Sequence, residues 1–215
     1  KSGRSALACK TVVDATGDAD VCFAAGEETI SLRSNVLSGW FYTITNGELS
    51  LHPMSSRYCP HAGTDNAEGP FFAGDNADDV TAHIIQTRHK IRDTLITLRS
   101  DTPSTDLQPL MPPTLACFRM TRRLVAEFTL SEKHVHHWFD DAVGLSGDWR
   151  QAGPVYAIPF SSLRTPSTRN LIVAGRCMSV DETAWDALRV IPPCAVTGEA
   201  AGTATALATE ESNGD

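Results

Sequence analysis

The feature that most constrains this chain is near its carboxyl end. Pro192-Pro193 stands before a helix-forming run, Cys194 to about Glu211, in which Gly198, Gly202 and Ala206 recur every four residues. That interval is about one helical turn, so the three positions share one side of the helix and leave it bare. A bare side calls for a close neighbour, either a sheet or a cofactor. The strand upstream narrows the choice. Leu171-Ile172-Val173-Ala174 is a continuous apolar run, the pattern of a parallel strand buried on both faces, and Gly175-Arg176 follows at its carboxyl end. The chain should therefore hold an α/β or α+β fold with parallel pairing in this part.

The front of the chain reads as strand, turn and helix. Thr11-Val12-Val13 is β-branched and ends at Asp14-Ala15, and Thr16-Gly17-Asp18 breaks it. Asp18 or Asp20 is expected to cap a helix that runs to about Ala25, with Gly26 as its stop and Val21, Cys22 and Ala25 as its buried face. Ile30 to Thr45 is β-like, and Trp40 to Thr45 forms its aromatic, β-branched centre. Asn46-Gly47 signals a tight turn. Leu51 to Asp75 has no period and reads as a long irregular loop. Asn76 to about Ser100 is the clearest helix, with Val80, Ile84, Ile85, Ile91, Leu95 and Leu98 at helical spacing, Asn76 or Asp75 as cap, and Asp78 and Asp79 in the first turn. Leu115 to Met120 and Leu124 to Leu130 read as strands. Ser131-Glu132-Lys133 opens a short helix holding His134, His136 and His137. A glycine-rich stretch then leads to a strand over Val155 to Phe160.

Composition excludes several classes. Hydrophobic residues are 41% of the 215, which suits a packed globular chain. A net charge of −8 disfavours nucleic acid and anionic membranes as the main partner. No apolar run approaches the roughly 20 residues of a membrane span. The six cysteines (Cys9, Cys22, Cys59, Cys117, Cys177, Cys194) form no CxxC pair and no metal-ligand spacing, so they read as reduced thiols of a cytoplasmic protein. The opening Lys1-Ser2-Gly3-Arg4 has no signal-peptide pattern and suggests a piece of something longer.

Four segments carry a resemblance. Asp14-Ala15-Thr16-Gly17-Asp18-Ala19-Asp20 resembles the second "ATG" segment of flavoproteins with the glutathione-reductase-type FAD domain. Thr121-Arg122-Arg123-Leu124 resembles a strand of such proteins' substrate domain. Asn170 to Ser179 resembles the late strand that meets the ribityl chain, and Leu188-Arg189-Val190-Ile191-Pro192-Pro193-Cys194, continued by Thr197 to Ala204, resembles the last flavin-contacting helix. Together they are similar to the bacterial FAD-dependent oxidoreductase family. The resemblance implies FAD as cofactor, held by Thr16, Gly17, Gly175, Arg176, Arg189, Ile191, Pro192, Pro193, Cys194 and Ala195. It also implies a small-molecule substrate, for which Arg122 and Arg123 suit a carboxylate. On this reading the prolines leave the N–H groups of Cys194 to Val196 facing the flavin ring.

The resemblance also implies an incomplete Rossmann-like FAD-binding domain. Residues 1–29 and 161–215 would be its discontinuous remnant, around a substrate domain with a mixed or antiparallel sheet over 30–160. The GxGxxG strand–turn–helix that grips a pyrophosphate is absent from the 15 glycines. Alone, the chain is expected to bind FAD weakly or not at all, to need the missing N-terminal half or a partner chain, and to pair with itself through exposed surface near Thr11–Val13 and Leu171–Ala174. Family members often carry His-Glu where this chain has Glu182-Thr183, so no residue stands out as the catalytic base. Several alternatives stay open. Arg176 and Arg189 could instead make structural ion pairs. Arg122-Arg123 could be a solvated or domain-bridging pair. Cys177 and Cys194 could be buried fillers or a redox pair, and His134, His136 and His137 a metal site or an exposed turn. His61 could touch substrate, and Trp40 to Tyr42 could line a pocket or a core. The whole could be an oxidoreductase, or a non-catalytic subunit that works only in assembly.

Overall fold

The structure is a computed structural model, which describes residues 3–37, 40–53, 70–103, 106–110 and 118–211. Its elements in chain order are β1 (Val12–Asp14), α1 (Asp20–Ala24), β2 (Thr29–Ser31), β3 (Trp40–Thr45), β4 (Glu48–Pro53), α2 (Ala77–Asp101), β5 (Leu107–Pro109), β6 (Arg122–Leu124), β7 (Ala142–Gly147), β8 (Val155–Pro159), β9 (Leu171–Val173), α3 (Glu182–Leu188) and α4 (Ile191–Glu211). Helices accompany small parallel and antiparallel sheets, an α+β mix. The chain divides into two compact units. One joins Lys1–Ile30 to Arg122–Asp215, and the other is Ser31–Thr121. Residues 122–160 thus cluster with the two flanks.

In the first unit, β1 runs parallel to β9, with Val12 opposite Leu171, Val13 opposite Ile172 and Asp14 opposite Val173. The apolar run at 171–174 is buried as expected, with Leu171, Val173 and Ala174 almost free of solvent contact. Ile172 and Thr11–Val13 are half-buried. Trp185, Tyr156, Leu124, Ile158 and Leu188 fill the core. β8 is the strand expected over Val155 to Phe160, but its partner β7 was not legible in the glycine-rich stretch, because glycine weakens the strand signal. Gly144 is there for a packing reason: a Cβ at that position would collide with the Val196 side chain of α4. The expected strand Leu124 to Leu130 ends at Leu124, and the chain crosses over so that Leu130 N–H donates to Ser179 O at 3.0 Å. The expected helix around His134 is a single 3-10 turn, Glu132–His134.

Two helix starts differ from expectation. α1 has no side-chain cap on its own first residue, since Ala19 occupies that place at φ 52°. Only Cys22 of its expected face is buried, while Val21 is half-buried and Ala25 exposed. α4 begins at Ile191, three residues before Cys194. Its prolines sit in the first turn, where a missing N–H breaks no helical bond.

In the second unit, β3 pairs with β4 and β5 in the order β4-β3-β5. Asn46 and Gly47, at φ 51° and 86°, make the tight turn that joins β3 to β4. α2 matches the expected helix almost to the residue. Asn76 Oδ1 accepts the N–H groups of Asp78 and Asp79, both at 3.0 Å. Its buried stripe, however, is His83, Thr87 and Ile91, while Ile85 is 49% and Ile96 56% exposed. Ile91 packs on Phe41 with Leu95 beside it. His83 meets Phe72 and Phe118 and the Val36 carbonyl. Val80, Ile84, Ile91, Leu95 and Leu98 of the expected stripe share that inward side, and of the six only Ile85 is exposed. Of the expected loop, Leu51–Pro53 belong to β4 and Phe72 bridges Asn35. Residues 54–69, with Cys59 and His61, lie outside the described residues, as do Cys117 and residues 115–117 of the strand expected over Leu115 to Met120, whose described part, 118–120, is not strand.

Candidate functional site

The residues singled out by sequence converge at the carboxyl ends of β1 and β9. Asp14 closes β1 and is fully buried. Its carboxylate accepts from Thr16 N–H at 3.1 Å, Thr16 Oγ1 at 2.7 Å and Cys22 N–H at 2.9 Å. The last bond makes Asp14 a remote cap for α1, doing the work expected of Asp18 or Asp20. Burial raises its pKa, but the hydrogen bonds from Thr16 and Cys22 outweigh burial and hold it below the usual carboxylate range.

Gly17 lies at φ 83°, which glycine alone adopts at little cost. Arg176 reaches it from the 3-10 turn after β9: its Nε donates to Gly17 O at 2.7 Å and its Nη2 to Asp18 Oδ1 at 3.0 Å. Thr16, Gly17, Gly175 and Arg176 are therefore brought together across nearly the whole sequence. Gly175 sits at φ 65°, and a Cβ there would come within 3.3 Å of Cys194 Sγ.

Four residues that the sequence reading passed over or treated as filler hold this arrangement. Cys177 Sγ accepts from Gly17 N–H at 3.1 Å and Ala19 N–H at 3.3 Å. Thr197 Oγ1 accepts from Gly175 N–H at 2.8 Å and donates to Pro193 O at 2.8 Å, fixing the first turn of α4 against the turn after β9. Trp185 Nε1 donates to Arg176 O at 2.9 Å. Asp14 is the fourth. Only Thr197 carried a local hint, being a polar residue one helical turn after a proline pair. Burial also sets the state of three cysteines, Cys22, Cys177 and Cys194, and favours their thiol forms. Burial, with Asp14 nearby, pushes Cys177 up to about 11 and raises Cys22 as well, and burial also raises Cys194.

The start of α4 corrects one expectation. Cys194 N–H donates to Val190 O at 3.2 Å, so it is used inside the helix. Among the described residues, the N–H groups of Val190 and Ile191 have no partner and stand at the positive end of the helix. Ile191, Pro192 and Ala195 are exposed beside them, while Pro193 is buried. The bare side of α4 remains bare: Cβ atoms at Gly198 and Gly202 would meet nothing within 4 Å.

The remaining arginines separate into distinct roles. Arg189 grips Asp186 Oδ1 through Nε at 3.0 Å and Nη2 at 2.6 Å. Asp186 Oδ2 also faces Arg150, which is held by Asp148 at 2.7 and 2.6 Å. Arg122 pairs with Asp20, donates to Asp18 O at 2.9 Å, and lies 4.3 Å over the Phe23 ring. Arg123 is different. It is 9% exposed, and among the described residues its one side-chain hydrogen bond is from Nη1 to Leu124 O at 3.3 Å. No carboxylate of the described residues pairs with it directly. Burial lowers its pKa, while the nearby charges of Asp181 and Glu182 work against that. His134 Nδ1 accepts from Ser131 N–H at 3.0 Å. Among the described residues no group of His, Cys, Asp and Glu is arranged to hold a metal ion, and no helix is long and apolar enough to cross a membrane.

Fit to a flavin is tested by the space and donors at this end. Two glycines at positive φ, two unpartnered N–H groups and an open small-residue helix face suit a flat ring and its polyol chain. No glycine-rich phosphate loop is present among the described residues. A family model described as FAD dependent oxidoreductase matches residues 28–214. No curated protein and no solved structure matches the chain.

Proposed function

The chain belongs to the FAD-dependent oxidoreductase family, and from that premise we propose that it is the part of a flavin enzyme in which hydride or electrons pass between a small organic substrate and FAD. One observation carries this reading: Arg176 Nε lies 2.7 Å from Gly17 O, so the turns after β1 and β9 form one surface at the carboxyl end of a parallel pair, where open α/β sheets bind ligands.

FAD would supply the redox chemistry. Thr16, Gly17, Gly175 and Arg176 would line the polyol side. Val190 and Ile191 N–H, backed by the dipole of α4, would face the ring edge that becomes electron-rich on reduction. Pro192, Pro193, Cys194 and Ala195 shape that end, and Arg189 holds it through Asp186. Arg122 is committed to Asp20 and the Asp18 carbonyl. Arg123, with its single backbone partner, is therefore the residue to bind an anionic substrate group such as a carboxylate. Arg123→Lys keeps the charge but loses the fork, so it should raise KM for an anionic substrate far more than it lowers kcat. An unchanged KM would remove Arg123 from this role.

A second reading is favoured by the open face at Gly198 and Gly202: the chain works in assembly with a glycine-rich half, on the same or another chain, or with a second copy, in a reducing cytoplasmic setting. FAD titration of the 215-residue chain followed by flavin absorbance separates the two. Weak or no binding, restored by a chain carrying a GxGxxG unit, supports assembly. Tight stoichiometric binding by this chain alone refutes the need for a partner.

A further inference from the structure

Asp14 and Cys177 are linked to each other and to the same turn. Cys177 Sγ donates to Asp14 Oδ1 at 3.8 Å and accepts the N–H groups of Gly17 and Ala19. Asp14 meanwhile holds Thr16 through both its N–H and hydroxyl, and Cys22 N–H beyond the turn. Thr16 Oγ1, having donated to Asp14, accepts Asp20 N–H at 3.0 Å. Five backbone N–H groups between Thr16 and Cys22 (those of Thr16, Gly17, Ala19, Asp20 and Cys22) thus end on three side chains. Two of those side chains, Asp14 and Cys177, have no solvent exposure and come from opposite ends of the sequence. A buried carboxylate and thiol are costly without partners. Here every contact is spent on the shape of one turn.

We infer that Asp14 and Cys177 are a positioning pair, which sets the Thr16–Ala19 turn so that Gly17 and Arg176 present a fixed surface to the cofactor. The inference rests on the flavin reading for what the surface receives, but the pair itself is a statement about the turn. The thiol, held protonated, works as a donor to Asp14 and an acceptor for two amides.

The test compares wild type, Cys177→Ala, Cys177→Ser and Asp14→Asn by hydrogen exchange, resolved to peptides, in the full 215-residue chain, with FAD titration alongside. Cys177→Ala should speed exchange across Thr16–Cys22 by roughly tenfold or more and leave the β7–β8 hairpin unchanged. Cys177→Ser, which keeps a donor and an acceptor, should recover most of the protection. Asp14→Asn should loosen Thr16 and Cys22. A uniform rise in every peptide would mark Cys177 as a core filler and overturn the pair, as would no rise at all. If the chain binds FAD, Cys177→Ala should weaken it and Cys177→Ser should largely restore it, and equal affinity in all variants also overturns the inference. If no variant binds FAD, the chain-alone flavin reading fails by itself, and the exchange data still decide the pair.

Discussion

Gly17→Ala is the sharpest single perturbation of the candidate site. The position lies at φ 83°, so any Cβ brings left-handed strain of about 1–2 kcal/mol. The new Cβ would also stand 2.9 Å from Arg176 Nη2 and 3.0 Å from Arg176 Cζ. The guanidinium is the far end of a flexible side chain, so it can swing away, but it would then leave Gly17 O and Asp18. Both side chains of that ion pair are about 30% exposed, so the loss is discounted to about 1 kcal/mol. The total is about 2–3 kcal/mol. Arg176→Ala alone removes the same contacts without strain and should cost about 1 kcal/mol. In the double variant the clash has already gone, so it should cost no more than Gly17→Ala, a coupling of about −1 kcal/mol. Urea denaturation followed by tryptophan fluorescence measures this, because three of the four tryptophans (Trp138, Trp149, Trp185) lie in the first unit. Additive costs, or a Gly17→Ala cost below about 0.5 kcal/mol, would refute the geometric reasoning.

Three further outcomes are expected. Asp186→Ala strands Arg189 and weakens the support of Arg150, both only about a tenth exposed, and should cost about 3 kcal/mol in a denaturant titration, with Asp186→Asn costing less. His83 is buried, and burial depresses its pKa, against a smaller opposing effect of the Val36 carbonyl. The folded state therefore binds a proton less readily than the unfolded one: stability is complete above pH about 6.5 and falls as the pH drops below it. Urea midpoints of the second unit should show that fall, and His83→Gln should flatten it. Mass-mapped alkylation at neutral pH should label exposed Cys9 and spare Cys22 and Cys177 until the chain unfolds.

Much of the local structure was legible. The Asn76 cap, the Asp78-Asp79 first turn and Thr102-Pro103 delimit α2 because capping is settled within a few residues. Asn46-Gly47 marks its turn because two successive positive φ values favour those residue types. The flavin-type segments were also visible, since each is a short strand–turn or turn–helix unit. The inward side of α2 was legible in the spacing of Val80, Ile84, Ile91, Leu95 and Leu98, but periodicity ranks apolar residues and so passed over the polar members of that side and took in Ile85. His83 and Thr87 went inward to meet the partners that the second unit offers, and Ile85 was left outside. Strand β7 was hidden by Gly144, whose reason is a contact with Val196 in a helix fifty residues away.

By itself, then, the sequence determined the helix and turn ends, the apolar run of β9 and the family of the chain, all of which depend on neighbours within one or two turns. Tertiary structure alone decided what the charged and sulfur groups do. Arg122 is bound to Asp20 while Arg123 is left with a backbone carbonyl. Arg189 closes on Asp186, and Arg176 clamps Gly17. A filler-like Cys177 receives two amides, and α4 starts at Ile191, so that Cys194 spends its N–H inside the helix. Side-chain hydrogen bonds act over about 3 Å whatever the separation in sequence. Pairing β1 to β9 brings residues 14–20 against 175–177, and no local pattern records that meeting.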